Sequence, residues 1–149
     1  MALSMINDNK ADIIWGVAGL AGNGAAEAAQ ESGKAWFIGM DSDQEMTLQE
    51  QLAKITLTSG LKNVGQSIIW IFDQMDAGKT YWGQAVYLGL AEGGVGFAKD
   101  HNFATVAPKA VQDKVLAAEA AIQDGSIVVA SALSDETNGV IDLRTQMQP

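Results

Sequence analysis

Three short apolar runs, Ile13 to Val17, Ala35 to Met40 and Ile55 to Leu57, each end abruptly in small or polar residues, as buried strands do where they leave a sheet. The first closes on Gly19-Leu20-Ala21-Gly22-Asn23-Gly24, the second on Asp41-Ser42-Asp43-Gln44, the third on Thr58-Ser59-Gly60. Three strand-to-turn units thus point polar ends the same way, toward the edge where open α/β sheets place their ligands. Between the first two, Gly24 to Ser32 reads as a short Ala-rich helix suited to close packing on a sheet, with Gly33 as its stop. The helical spacing of Leu61, Val64, Ile68, Ile71, Phe72 and Met75 predicts an amphipathic helix over 61–75, capped by Thr58 or Ser59 and ended at Gly78.

Further on, Gln84 to Leu90 alternates like a strand before Gly93, Gly94 and Gly96 break it. Pro108 opens a helix along Val111, Val115, Leu116, Ala118 and Ile122, which Gly125 stops before the apolar run Ile127-Val128-Val129. The order β-α-β-β-α-β-α-β predicts an α/β fold, a single three-layer lobe with a largely parallel sheet. The lobe is expected over residues 1–133, followed by a polar tail over 134–149. At the start, Met1, Leu3, Met5 and Ile6 read as the last turns of a helix that has no N-cap, so the chain is expected to open inside a longer fold.

Composition narrows what such a lobe can do. The 149 residues suit one domain with a single core. Asp and Glu number 18 against 9 Lys and Arg, a net charge of -9 that excludes a general phosphate-backbone binder, so no nucleic-acid partner is expected. The chain contains no cysteine and a single histidine, His101, so neither thiolate chemistry nor a His-based metal cluster is expected. His101 reads as a surface or loop residue without triad partners. No stretch approaches the ~18 consecutive apolar residues of a membrane span, and the first residues lack the basic and apolar regions of a signal peptide.

Two glycine motifs fail on inspection. From Gly22 and Gly24, the third glycine of a dinucleotide fingerprint would fall at Glu27, where a carboxylate opposes a pyrophosphate. Gly78-Lys79-Thr80 resembles the end of a P-loop, yet Asp73 stands where the first glycine is needed and the tripeptide ends a helix rather than starting one.

Asp41 and Asp43 can be solvated strand-end carboxylates that cap the next segment, or polar groups for a ligand. Lys62, read as the start of a helix, opposes the helix dipole, a mild conflict of the kind found at functional sites. Trp15, near the same edge, is either core or a stacking platform for a flat ligand, and Tyr81, Trp82 and Tyr87 share that ambiguity.

Taken in series, Ala11-Asp12-Ile13-Ile14-Trp15-Gly16-Val17-Ala18-Gly19, Gly22-Asn23-Gly24, Ile38-Gly39-Met40-Asp41-Ser42-Asp43-Gln44, Leu57-Thr58-Ser59-Gly60-Leu61-Lys62-Asn63-Val64 and Gly89-Leu90-Ala91-Glu92-Gly93-Gly94-Val95-Gly96 resemble the basic membrane protein family. These are substrate-binding lipoproteins of ABC importers, the purine nucleoside receptor A-like group. The resemblance implies a type I periplasmic-binding-protein fold of two hinged lobes, of which this chain matches the C-terminal one, relatives being about twice as long. It implies a purine nucleoside or related small solute as ligand, an ABC permease as partner, and neither cofactor nor catalysis.

Matched residue by residue, it gives Asp41 to the ribose hydroxyls and Lys62 to the ligand, while Gly19 and Gly22 let the backbone approach it. The missing lobe, or a second copy of this chain, would supply the remaining contacts, and without either the affinity should be weak. The family implies the cell surface or the periplasmic face of the membrane; the chain as written, lacking signal and lipid-attachment cysteine, would remain cytoplasmic. The alternative is a non-transport regulatory or protein-interaction module that retains the lobe and pairs through its exposed interlobe face. An enzyme is disfavoured, since no nucleophile–base pair is visible.

Overall fold

The computed structural model describes residues 1–129 and 145–146. The polar tail expected from Ser134 therefore lies, apart from residues 145 and 146, outside the described residues. One four-stranded sheet runs in the order β1 (Ile13–Trp15), β2 (Trp36–Asp41), β3 (Thr56–Lys62), β4 (Val95–Phe97). The first three strands are parallel, with Ile14 opposite Phe37 and Phe37 opposite Thr56, while β4 returns antiparallel, Leu61 facing Gly96. The expected α/β fold with a largely parallel sheet is what the chain forms, because helices carry it back after β1 and β2.

Alanines bring helix and sheet together. In α2 (Asn23–Ser32), Ala26, Ala28 and Ala29 are buried and let the helix pack on β1 and β2 and against α1 (Ala2–Asn7). Gly33 stops α2 at φ +60°, its N–H donating to the carbonyls of Ala29 and Gln30. Into the space beneath α2 go Ile6, Ile14, Ala35, Phe37 and Leu52, the last from α4 (Glu50–Ala53). Each large apolar side chain fully removed from water there contributes about 1.5–3 kcal/mol.

Four expectations are corrected. The strand β3 runs through Thr58, Ser59 and Gly60 to Lys62, so neither Thr58 nor Ser59 caps a helix, and α5 begins only at Val64 (Val64–Asp76). Lys62 accordingly ends a strand, and the supposed conflict with a helix dipole does not arise. Gln84 to Leu90 is not a strand; the strand that pairs with the second edge of β3 is β4, Val95–Phe97, after the glycines. Ile127 to Val129 is not a strand either; the Ile127 N–H donates to the Ala121 carbonyl at the end of α7 (Lys109–Gln123), which does start after Pro108.

The periodicity of α5 is real, yet none of its residues is buried, and Ile68, Ile69 and Phe72 are more than half exposed. Only Trp70 finds an aromatic neighbour, Tyr81, with ring centroids 5.4 Å apart.

Two short helices invisible to periodicity matter for the architecture. The first is α3 (Gln44–Thr47), between β2 and β3; the second is α6 (His101–Val106), which packs on β3 with Phe103 edge-on to Phe97 at 5.2 Å. In α6 the Asn102 amide donates to the carbonyls of Ala53 and Thr56, at 3.0 and 2.9 Å. Asn102→Ala should therefore cost about 1–3 kcal/mol by orphaning two half-buried carbonyls. Asn102→Asp should cost more, since a carboxylate would face both oxygens. Urea unfolding of the two variants checks the order; an Asp variant as stable as wild type would contradict it.

Candidate functional site

Parallel pairing brings the C-terminal ends of β1, β2 and β3 to one edge. There Trp15, Asp41 and Lys62 stand on three adjacent strands. Asp41 lies opposite Leu61, so Lys62 is one step further along, and its Nζ reaches the Asp41 Oδ1 at 3.3 Å. Both side chains remain about half exposed, which makes this a solvated pair with hydrogen-bonding capacity to spare: a second carboxylate oxygen and further ammonium protons.

Trp15 resolves as the exposed reading, with 58% of its surface open. Its indole N–H donates to the Gly39 carbonyl at 3.2 Å, and its ring lies beside Gly60, where an added Cβ would sit 3.7 Å from Cζ2. One edge of the indole is therefore pinned to the strand ends. A groove of about 430 Å³ runs from Trp15 along Gly16, Val17, Ala18 and Gly22 to the start of α2. That volume is in the range of small-molecule sites.

The glycine turn after β1 is a single 3₁₀ turn, Gly19–Gly22. Gly19 adopts φ +53° with open space where a Cβ would stand. Gly22 is buried, and a Cβ on it would meet the Gly16 carbonyl oxygen at 2.6 Å, so its bareness lets the turn close on β1's exit.

Of the two aspartates, Asp43 takes the capping role, its carboxylate accepting the Glu45 N–H at 3.2 Å at the start of α3. Asp41 caps nothing. It has φ +71° and is the middle residue of a three-residue turn closed by the Ser42 N–H on the Met40 carbonyl, 3.0 Å. A γ-turn of this hand is rare and strained.

Motif reading missed the residue beneath that turn. Gln44 accepts the Met40 N–H at 3.0 Å through Oε1, donates its Nε2–H to Asn23 Oδ1 at 3.3 Å, and donates its backbone N–H to the Ser59 hydroxyl at 3.0 Å. Its place as the fourth residue of Asp-Ser-Asp-Gln was the available signal.

Elsewhere the chemistry is bland. At the opposite end of β3, Lys54 hydrogen-bonds Glu50 and, with its charge, holds that carboxyl below the usual range, a fully solvated i,i+4 pair. Among the described residues no group of three or more His, Cys, Asp or Glu could hold a metal ion, and no helix is long and apolar enough to cross a membrane. Tyr87 and Trp82 are largely exposed; His101 is exposed at the first turn of α6, at φ +54°.

Comparison with known proteins agrees with this architecture. A family model described as ABC transporter substrate-binding protein PnrA-like matches residues 1–137. Basic membrane protein B of Borreliella afzelii is 37% identical over 95 residues, 62% of this chain and 27% of that protein. Basic membrane protein C of Borreliella burgdorferi is 30% identical over 131 residues, 87% of this chain and 35% of the relative. The ABC transporter nucleoside-binding protein BmpA of Lactococcus lactis subsp. cremoris is 31% identical over 132 residues, 80% and 36%. This chain thus spans about a third of the length of the curated relatives it matches. A solved ABC transporter solute-binding protein from Conexibacter woesei superposes with a TM-score of 0.60 over 87% of this chain and 40% of its own, at 19% identity, a likeness of fold.

Proposed function

The chain belongs to the PnrA-like family of ABC transporter substrate-binding proteins, and on that footing we propose that it is one lobe of a receptor for a purine nucleoside. In this reading Asp41 accepts the two vicinal ribose hydroxyls, Lys62 donates to the ligand and balances the carboxylate, and Trp15 lends its open face to the base. Gly22 lines the groove that runs from Trp15, and Gly19 opens the 3₁₀ turn to which Gly22 belongs. The observation that carries the reading is the Asp41–Lys62 pair beside the exposed Trp15, at the end of the strands where such sheets hold ligands. The Lactococcus relative is named for nucleoside binding, which accords with it.

Since the chain spans about a third of its relatives, the remaining ligand contacts belong to a second lobe, and the ABC permease is the downstream partner. Function at the outer face of the membrane follows from that role. One lobe supplies only part of the contacts, so its affinity should fall near the millimolar level, roughly 4 kcal/mol of binding free energy.

Titrating the labelled chain with inosine, followed by NMR, tests this directly. Saturable shifts of the Trp15 indole N–H and of the Asp41 and Lys62 amides are expected, and none with a 2′,3′-dideoxy analogue. Equal responses to both nucleosides, or to neither, would overturn the ribose assignment.

A second reading draws on α5, whose apolar face is exposed at Val64, Ile68, Ile69 and Phe72. As a protein-interaction module the lobe would pair with a second copy through that face. The mass in solution decides: a dimer broken by Ile68→Glu favours this reading, and a monomer at high concentration removes it.

A further inference from the structure

We infer that Gln44 is a positioning residue that holds the Asp41 carboxylate in its working place, an inference that rests on the reading of Asp41 as the ribose-binding group. Asp41 is one of three described non-glycine residues with positive φ, and it sits at the centre of a strained γ-turn. Such a conformation persists only where the surroundings hold it.

Three hydrogen bonds of Gln44 supply the hold. Oε1 captures the N–H of Met40, the residue just before Asp41, while the Met40 carbonyl closes the turn onto Ser42. The Gln44 N–H on Ser59 ties the turn to β3, three residues before Lys62. Nε2–H on Asn23 ties it to the start of α2, directly after the glycine turn. The side chain therefore joins the exit of β2 to the turn that follows β1, and the backbone N–H of the same residue adds the tie to β3.

Room for that side chain is reserved at Gly39. A Cβ there would stand 2.6 Å from Gln44 Oε1 and 2.6 Å from the Ser59 hydroxyl. The same Gly39 carbonyl receives the Trp15 indole N–H, so the tie also reaches the aromatic face of the site. Gln44 itself is half-buried below the turn and acts through Asp41 and Asn23.

The test separates this inference from the binding reading by using two readouts. In Gln44→Ala, the Met40 and Ser42 amides should exchange with solvent roughly tenfold faster, while the Phe37 amide near the start of β2, bonded to the Ile55 carbonyl, stays unchanged. Inosine affinity should fall roughly tenfold or more in the same variant. Gln44→Glu keeps an acceptor for the Met40 N–H, and the Asn23 amide can turn to donate to it; this variant should restore most of the protection and the affinity.

If Gln44→Ala does not fold, Asn23→Ala, which cuts the clasp at its α2 end, takes its place with the same expectation in smaller measure. Unchanged Ser42 protection in a folded Gln44→Ala protein overturns the positioning role whether or not inosine binds. Wild-type affinity retained in that variant overturns it as well. Failure of the wild-type chain to bind inosine would instead sink the binding reading, and amide exchange alone would then judge Gln44.

Discussion

Phe37→Ala should lower the folding stability by about 3–5 kcal/mol, a large share of the ~5–15 kcal/mol by which domains of this size are stable. Phe37, the second residue of β2, is fully buried between Ile14 and Thr56 on the neighbouring strands. Its ring also carries the exit of β1: a Cβ on Gly16 would lie 2.7 Å from Phe37 Cε2. The walls of the resulting hole include Ala26, Ala29 and Ala35, which have no side-chain length with which to fill it. Relaxation would require α2 to sink toward the sheet, dragging the Gly19–Gly22 turn with it. Phe37→Leu, which keeps most of the volume, should cost markedly less. Urea unfolding with equal slopes for all three proteins measures the difference, and a loss below about 1 kcal/mol for the alanine variant would contradict the core described.

Asp41→Ala should abolish the ribose-dependent NMR response to inosine while lowering stability by no more than about 1–2 kcal/mol, the cost of an alanine at φ +71°. The two effects divide because the side chain is half exposed and its partner, Lys62, is a solvated cation. Exposed pairs of this kind contribute about 0–1 kcal/mol, whereas hydrogen bonds from a carboxylate to a ligand contribute about 1.5–3 kcal/mol each. Asp41→Asn makes the sharper control: asparagine tolerates the positive φ at this position as well as aspartate does, so only the charge and acceptor capacity change. Reduced binding in both variants with intact folding supports the assignment. Undiminished binding in Asp41→Ala would remove Asp41 from the site.

Much of the frame was legible because its signals are local. Gly33 at φ +60° and Gly125 at φ +81° stop α2 and α7 where the glycines predicted, and Pro108 stands just before α7. The apolar runs marked β1, β2 and β3 because the strands of parallel sheets read as near-continuous apolar stretches, although in β1 only Ile14 is buried. Misreadings gathered where a local pattern met a nonlocal choice. Leu61 and Lys62 fit a helix as well as a strand, and only the pairing of Leu61 with both Asp41 and Gly96 settles them in β3. Gln84 to Leu90 has a strand's alternation, but it is Val95 to Phe97 that pairs with β3. The helices α3 and α6, four and six residues long, are too short for any period to show.

The candidate site divides along the same line. Family motifs pointed to Asp41 and Lys62 separately, and the parallel register of β2 and β3 put them 3.3 Å apart. Trp15 could have been core; its exposure followed from where β1 ends against Gly39 and Gly60. Gln44 offers nothing in its own neighbourhood of sequence to announce a tie to Asn23 and Ser59, 21 and 15 residues away. By itself, then, the sequence determined the α/β class, the principal turns and helix stops, and the family, since each rests on short-range preferences of the backbone or on motifs in series. Tertiary structure alone decided which strand borders which, which way β4 runs, that Asp43 caps while Asp41 is held in a strained turn, and which polar groups meet. Those outcomes depend on pairing and packing between distant segments, whose energies no local stretch of chain contains.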